Sequence, residues 1–131
     1  MHIAGDQHLA STVHYGVDET RDAGVALCVP SIANFYPRRW WPKVDDPKSG
    51  ANLGDFEDGF GNHVHVMAVA NPVRTEREPK ALHSGMPGYG IVKLQRKTRK
   101  IELANWPRYA DPSKPDAKPY PGWPIVIDQA D

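Results

Sequence analysis

The sequence has almost no cysteine, no excess of either charge and no long apolar run. Cys28 stands alone among 131 residues, so no intrachain disulfide can form. It lies within the apolar run Val25-Ala26-Leu27-Cys28-Val29, which reads as a buried, inert thiol. Sixteen basic residues balance sixteen acidic ones. A chain with no net charge carries no overall electrostatic footprint for nucleic acid, and none is expected as a partner. The six His turn the balance positive below about pH 6.5. No stretch approaches the roughly 18 apolar residues of a membrane span, so no membrane partner is expected, and no signal peptide is read. The compartment is left open. Gly-x-Ser-x-Gly elbows, Walker loops, dinucleotide fingerprints and Cys-x-x-Cys pairs are all missing. Nucleophilic Ser or Cys catalysis therefore has no support, and no catalytic side chain is assigned.

Proline and glycine, by contrast, are abundant. Thirteen Pro and eleven Gly exclude long helices over most of the chain. Trp, Tyr, Phe and β-branched residues are spread throughout, which argues for an ordered core. The length fits one domain, 1–131, with short strands, little helix and long Pro/Gly-rich loops. Residues 1–5 read as a strand end. Residues 8–15 read as one or two helical turns, with Leu9, Thr12 and Val13 on one face and Gly16 as the stop. Residues 24–29 read as a fully buried strand. Residues 45–62, rich in Gly, Asp and Pro, read as a long surface loop. Residues 64–70 alternate as a strand, with Val64, Val66, Ala68 and Ala70 on one face. Residues 73–88 are charged and loop-like. The clearest unit is a β-hairpin over about 89–105. Its tip is Arg96-Lys97-Thr98-Arg99, and Val92, Leu94, Ile101 and Leu103 share a core face. That tip reads as a solvated turn. Residues 107–124, with prolines at 107, 112, 115, 119, 121 and 124, must be irregular, and Ile125-Val126-Ile127 closes the chain as a short strand.

Gly5-Asp6-Gln7-His8 carries the best metal chemistry. On extended backbone Asp6 and His8 point the same way, roughly 6–7 Å apart at Cα. Carboxylate oxygen plus imidazole nitrogen suits Zn, Mn or Fe. His63 and His65 have a similar spacing but read more simply as polar residues on a half-exposed strand. Arg38-Arg39-Trp40-Trp41 has the chemistry of a phosphate or carboxylate clamp, and Arg–Trp stacking gives it an equally good structural role.

Four stretches in order carry a family likeness. They are Ala4-Gly5-Asp6-Gln7-His8-Leu9-Ala10-Ser11, then Cys28-Val29-Pro30-Ser31-Ile32-Ala33-Asn34-Phe35-Tyr36-Pro37-Arg38. Gly88-Tyr89-Gly90-Ile91-Val92 with Arg96-Lys97-Thr98-Arg99-Lys100-Ile101 follows, and Gly122-Trp123-Pro124-Ile125 comes last. Together they resemble the C-terminal part of alkaline phosphatase D-like (PhoD-like) metallophosphatases, of the calcineurin-like phosphoesterase superfamily. The resemblance implies that 1–131 is the β-rich C-terminal segment, a partial domain, of an α/β metallophosphoesterase sandwich. It implies a centre of two metal ions (Fe, Mn, Zn or Ca) acting on a phosphate ester, as phosphodiesterase or phosphomonoesterase. The family's late Gly-Asp-x-His motif maps onto Gly5, Asp6 and His8, making Asp6 and His8 metal ligands, with Arg38 and Arg39 as substrate contacts.

The family's earlier ligand motifs have no counterpart here. One Asp and one His cannot hold two metals, so the chain alone is expected to be inactive unless a partner supplies the rest. The expected partners are therefore the missing N-terminal half or a further copy. The rival expectation is a non-catalytic β-rich binding or assembly module using the aromatic-basic segment 35–42.

Overall fold

The computed structural model describes residues 1–40, 50–73 and 79–129. Among the described residues, eight strands form two sheets. β1 (His2–Ala4), β2 (Ala10–Gly16), β3 (Val25–Cys28), β4 (Gly50–Glu57) and β5 (His63–Ala70) make one, in the order β1-β3-β2-β5-β4. β6 (Gly88–Gln95), β7 (Lys100–Pro107) and β8 (Ile125–Asp128) make the other, in sequence order. One 3₁₀ segment, Pro79–Gly85, accompanies them. The chain is thus β-rich with little helix, as its Pro and Gly content requires. The hairpin runs from Gly88 paired with Pro107 to Gln95 paired with Lys100, slightly longer than expected.

The sheets meet through β3 and β7. Val25 and Leu27 pack with Ile101 and Leu103, joined by Val29, Met67, Val92 and Ile127. The Asn105 amide donates to the Cys28 carbonyl at 3.0 Å, tying the same two strands. A second cluster sets Trp123 and Tyr120 against Ala10, Ala68, Ala70 and Ala104. The Pro-rich loop thereby becomes part of the core. Leu94 does not join it: Val92 packs inward, but Leu94 is 72 % exposed, lying next to the hairpin tip.

Three other expectations are corrected. Residues 10–16 are a strand, not helical turns. Ser11, Thr12, Val13, His14 and Tyr15 are β-branched, aromatic or small polar side chains, and this strand is paired on both sides, to β3 and β5. That pairing outweighs a single turn's worth of helical spacing. Residues 50–57 are the edge strand β4, not loop; residues 45–49 lie outside the described residues. Glycine disguised this strand: Gly50, Asn52 and Gly54 all have positive φ, and the register with β5 shifts between Ala51 and Gly54. Bulges of this kind are common at sheet edges.

The third correction concerns β3 and β5. β3 is not buried on both faces: Val25 and Leu27 enter the core, while Ala26 and Cys28 turn to the opposite face and are half-buried. In β5 the pairing steps from Thr12–Ala68 to Val13–Val66. Opposite residues share a face, so Val66 lies on the face of Val13, and Ala68 and Ala70 lie on the core face. The single four-residue face expected for β5 is split at Met67.

Carboxylates close the turns. Asp22 accepts backbone N–H bonds from Val17 (2.6 Å), Asp18 (3.0 Å) and Glu19 (2.9 Å). Asp58 accepts from the Asn62 side chain (2.9 Å) and from the backbone of Phe60 (2.8 Å) and Asn62 (3.0 Å). Asp111 accepts from the Ser113 hydroxyl (2.8 Å) and backbone (3.0 Å). These bonds hold all three carboxyls below their ordinary range, led by Val17 for Asp22, Asn62 for Asp58 and the Ser113 hydroxyl for Asp111. A carboxyl depressed in the folded state stabilises above its unfolded pKa, and that contribution is lost as pH falls through the folded value. Urea midpoints should therefore hold steady from neutral pH to about 5 and fall below about 4. An Asp22→Asn, Asp58→Asn, Asp111→Asn triple variant should show a shallower acid slope. An acid slope identical to the parent's would show that these turns do not respond to protonation.

Candidate metal and anion site

β1 and β3 are the parallel pair of the larger sheet, with His2, Ile3 and Ala4 in register with Ala26, Leu27 and Cys28. The chain leaves the carboxyl end of β1 at Gly5 and turns through Asp6, Gln7 and His8 into β2. Gln7 N–H closes the turn on the Gly5 carbonyl at 2.8 Å. Asp6 and His8 have φ of 66° and 53°. Their backbone is left-handed, a region that Asp and His enter more readily than most residues. The extended geometry expected for this pair is therefore replaced by a tight turn, and the spacing argument from a strand does not apply to it.

The segment after β3 lies across this turn. His8 Nδ1 donates to the Tyr36 carbonyl at 2.9 Å, and Arg38 N–H donates to the His8 carbonyl at 3.3 Å. With Nδ1 committed as donor, Nε2 carries the free lone pair. A histidine oriented by a backbone carbonyl in this way has the arrangement usual for metal-binding imidazoles. Asp6 is exposed. Asp6 and His8 are the turn's carboxylate and imidazole, and among the described residues no group of three or more His, Cys, Asp or Glu side chains is placed to hold a metal ion.

Beside the turn, on the sheet face opposite the core, lies a groove of about 570 Å³. Ser11, Val13 and Cys28 form its floor, Arg38, Arg39 and Trp40 its wall, and Gln7 one end. The four sequence-chosen residues thus converge on one neighbourhood but divide within it. Arg38 and Arg39 line the groove; Asp6 and His8 stand in the turn next to it. Arg39 is anchored, its guanidinium donating to the Pro72 carbonyl at 2.8 Å. Trp40 is held by two bonds with Asn71, through its N–H (2.8 Å) and its carbonyl (3.2 Å), and its ring meets Phe56 edge-on at 4.7 Å. Trp41 and Pro42 lie outside the described residues. Cys28 is not sealed in the core as expected, since its side chain reaches the groove floor. Burial still pushes its thiol above the usual range, against smaller opposing effects of Gln7 and Ser11. It remains a poor nucleophile.

His63 and His65 do not come together as a chelate. His65 is buried, and its Nδ1 lies 2.6 Å from Asp55 Oδ1 and 3.0 Å from an Arg21 nitrogen. One ring nitrogen cannot donate to Asp55 and accept from Arg21 at once. The shorter contact identifies Nδ1–H as donor to Asp55, with Arg21 attracted to the same carboxylate at 3.6 Å. The bond from His65, more than the charge of Arg21, holds the Asp55 carboxyl below its ordinary range. This three-residue network was missed in the sequence because it depends on β4. Asp55 pairs directly with His65 only once residues 50–57 are recognised as a strand.

No protein-family model, curated protein or solved structure matches this chain.

Proposed function

We propose that this chain is the C-terminal segment of a PhoD-like, two-metal phosphoric ester hydrolase of the metallophosphoesterase sandwich class. Asp6 and His8 would be metal ligands and the Arg38–Arg39 wall a contact for the ester's phosphoryl oxygens. The observation that carries this reading is the His8 imidazole. It sits at the carboxyl end of a parallel strand, is oriented through Nδ1 by the Tyr36 carbonyl, and is joined through its own carbonyl to Arg38. Sites in open sheets with parallel strands gather at that end. The donor set, one carboxylate and one imidazole, fits part of a site for Fe, Mn, Zn or Ca, and further ligands must come from elsewhere. Bound metals would supply an activated water and charge neutralisation at the phosphoryl group. The chain's own part is to present His8 Nε2 and Asp6 in a rigid turn. Arg38 lines the groove, and Arg39 is braced against Pro72. The outer edge of β1 offers hydrogen-bonding groups to which further strands of a larger sheet can add.

The test is metal content and hydrolysis of a chromogenic phosphodiester by the chain extended upstream in its reading frame. Asp6→Asn and His8→Ala should each reduce metal content and lower the rate by about 10–100-fold or more. If neither quantity changes, the assignment of the turn is wrong.

A further inference from the structure

The loop between β7 and β8 is rich in proline yet firmly built. Successive tight turns close Ala110 on Pro107 (2.9 Å), Lys114 on Asp111 (3.0 Å) and Ala117 on Lys114 (3.2 Å). Two tyrosines fasten it to the rest of the molecule. Tyr89 donates its hydroxyl to the Ala110 carbonyl at 2.5 Å, and buried Tyr120 donates to the Pro87 carbonyl at 2.7 Å. Between the loop and Met86 lies a cleft of about 690 Å³, well within the size of small-molecule sites. Its shape is set by prolines and internal hydrogen bonds, so a ligand would find it already formed and meet little ordering cost.

Three features of the cleft define what suits it. Its wall includes Tyr109, 67 % exposed, whose ring is braced edge-to-face by His83 at 5.0 Å and 86°. An exposed aromatic ring is electron-rich on its faces, and such a face complements the C–H face of a pyranose ring. The rim carries Lys114 and Lys118 against Asp111 and Asp116, a balance that attracts neither anion nor cation as such. Asp111 is occupied by Ser113, whereas Lys114, Asp116 and Lys118 have no side-chain partner among the described residues. A purely apolar ligand would desolvate these groups without compensation. A ligand dense in hydroxyls, each both donor and acceptor, satisfies ammonium and carboxylate alike. We propose that this cleft is a binding site for a neutral saccharide, with Tyr109 as its stacking platform and Asp116, Lys114 and Lys118 as its hydrogen-bonding rim. The proposal is independent of the phosphoesterase reading, since it uses none of the residues of that site.

The experiment is a titration of the ¹⁵N-labelled chain, followed by amide NMR, with methyl glucosides, galactosides and mannosides, N-acetylglucosamine and maltose. At least one sugar should bind in the millimolar range and shift the amides of Tyr109, Ala110, Asp116, Ala117 and Lys118. Tyr109→Ala should weaken that binding by about tenfold or more, while Tyr109→Phe, which keeps the ring, should stay within about twofold. Tyr109 is exposed, so both variants should retain the dispersed spectrum of the parent. The proposal is overturned if no sugar in the panel shifts these amides, or if the shifts fall elsewhere. It is equally overturned if Tyr109→Ala binds as well as the parent, or if inorganic phosphate perturbs the cleft more strongly than any sugar.

Discussion

Trp123→Ala should lower stability by about 3–5 kcal/mol, a large part of the roughly 5–15 kcal/mol available to a domain. Trp123 is almost fully buried and packs against Ala10, Ala68, Ala70, Ala104 and Tyr120. Its alanine neighbours are too small to close over the space left by an indole, so most of the cavity persists. The loss is also polar. Trp123 Nε1–H donates to Thr12 Oγ1 at 2.9 Å, and Thr12 is wholly buried. Removing the donor strands a buried hydroxyl, which costs about 1–3 kcal/mol. Trp123→Phe should therefore cost less than Trp123→Ala but remain clearly destabilising. Adding Thr12→Val to Trp123→Phe should recover part of the deficit, because both partners of the lost bond are then apolar. Urea unfolding followed by circular dichroism measures all three. A shift below about 1 kcal/mol for Trp123→Ala would mean that the loop 107–124 is not part of the cooperative core.

Local patterns served well where local residues decide the outcome. The β6–β7 hairpin was legible because two apolar-polar alternations flank a polar tip, and its pairing needs nothing beyond those residues. The strands at 64–70 and 125–127 were legible from their own apolar runs, but their pairing with distant strands and the bulge at Met67 were not. β2 was not, because its identity comes from neighbours at residues 25–28 and 63–70 that the local spacing of Leu9, Thr12 and Val13 does not contain. β4 was hidden by Gly50, Asn52 and Gly54, whose positive φ values serve a bulge within a strand rather than a loop. At the candidate site, the residues chosen by type lie near one another: Asp6, His8, Arg38 and Arg39 are all at or beside one groove. The conformation was beyond reach. The turn with Asp6 and His8 in the left-handed region is held by Tyr36 and Arg38, which bond His8 from a segment 28 to 30 residues further on, a long-range constraint with no local signature. The carboxylate-closed turn at Asp58 lay in a stretch that read simply as a Gly-, Asp- and Pro-rich surface loop.

Gly88→Ala should prove at least as damaging as the tryptophan change, for a different reason. A Cβ at Gly88 would lie 2.0 Å from the Trp106 carbonyl oxygen and 3.1 Å from Pro30 Cγ. The first contact is with backbone inside the hairpin ladder, where Gly88 faces Pro107, so no rotamer change relieves it. Overpacking of side chains alone usually costs about 1–3 kcal/mol. A clash with backbone must move a strand, and the expected cost is about 3 kcal/mol or more. Gly59→Ala is the matched control: nothing lies within 4 Å of its added methyl, and its effect should stay within about 0.5 kcal/mol. The consequence of Gly88→Ala should reach the candidate site as well. Gly88 N–H donates to the Ser31 carbonyl at 3.1 Å. Ser31 begins the segment that runs through Asn34 to Tyr36 and Arg38, the two residues that grip His8. Displacing the base of the hairpin therefore pulls on the clamp that gives His8 its orientation. In the folded fraction of Gly88→Ala, the His8 imidazole resonances should shift even though the substitution makes no contact with that ring, while Gly59→Ala should leave them unchanged. Unshifted His8 resonances in a destabilised Gly88→Ala chain would show that hairpin and turn are held independently.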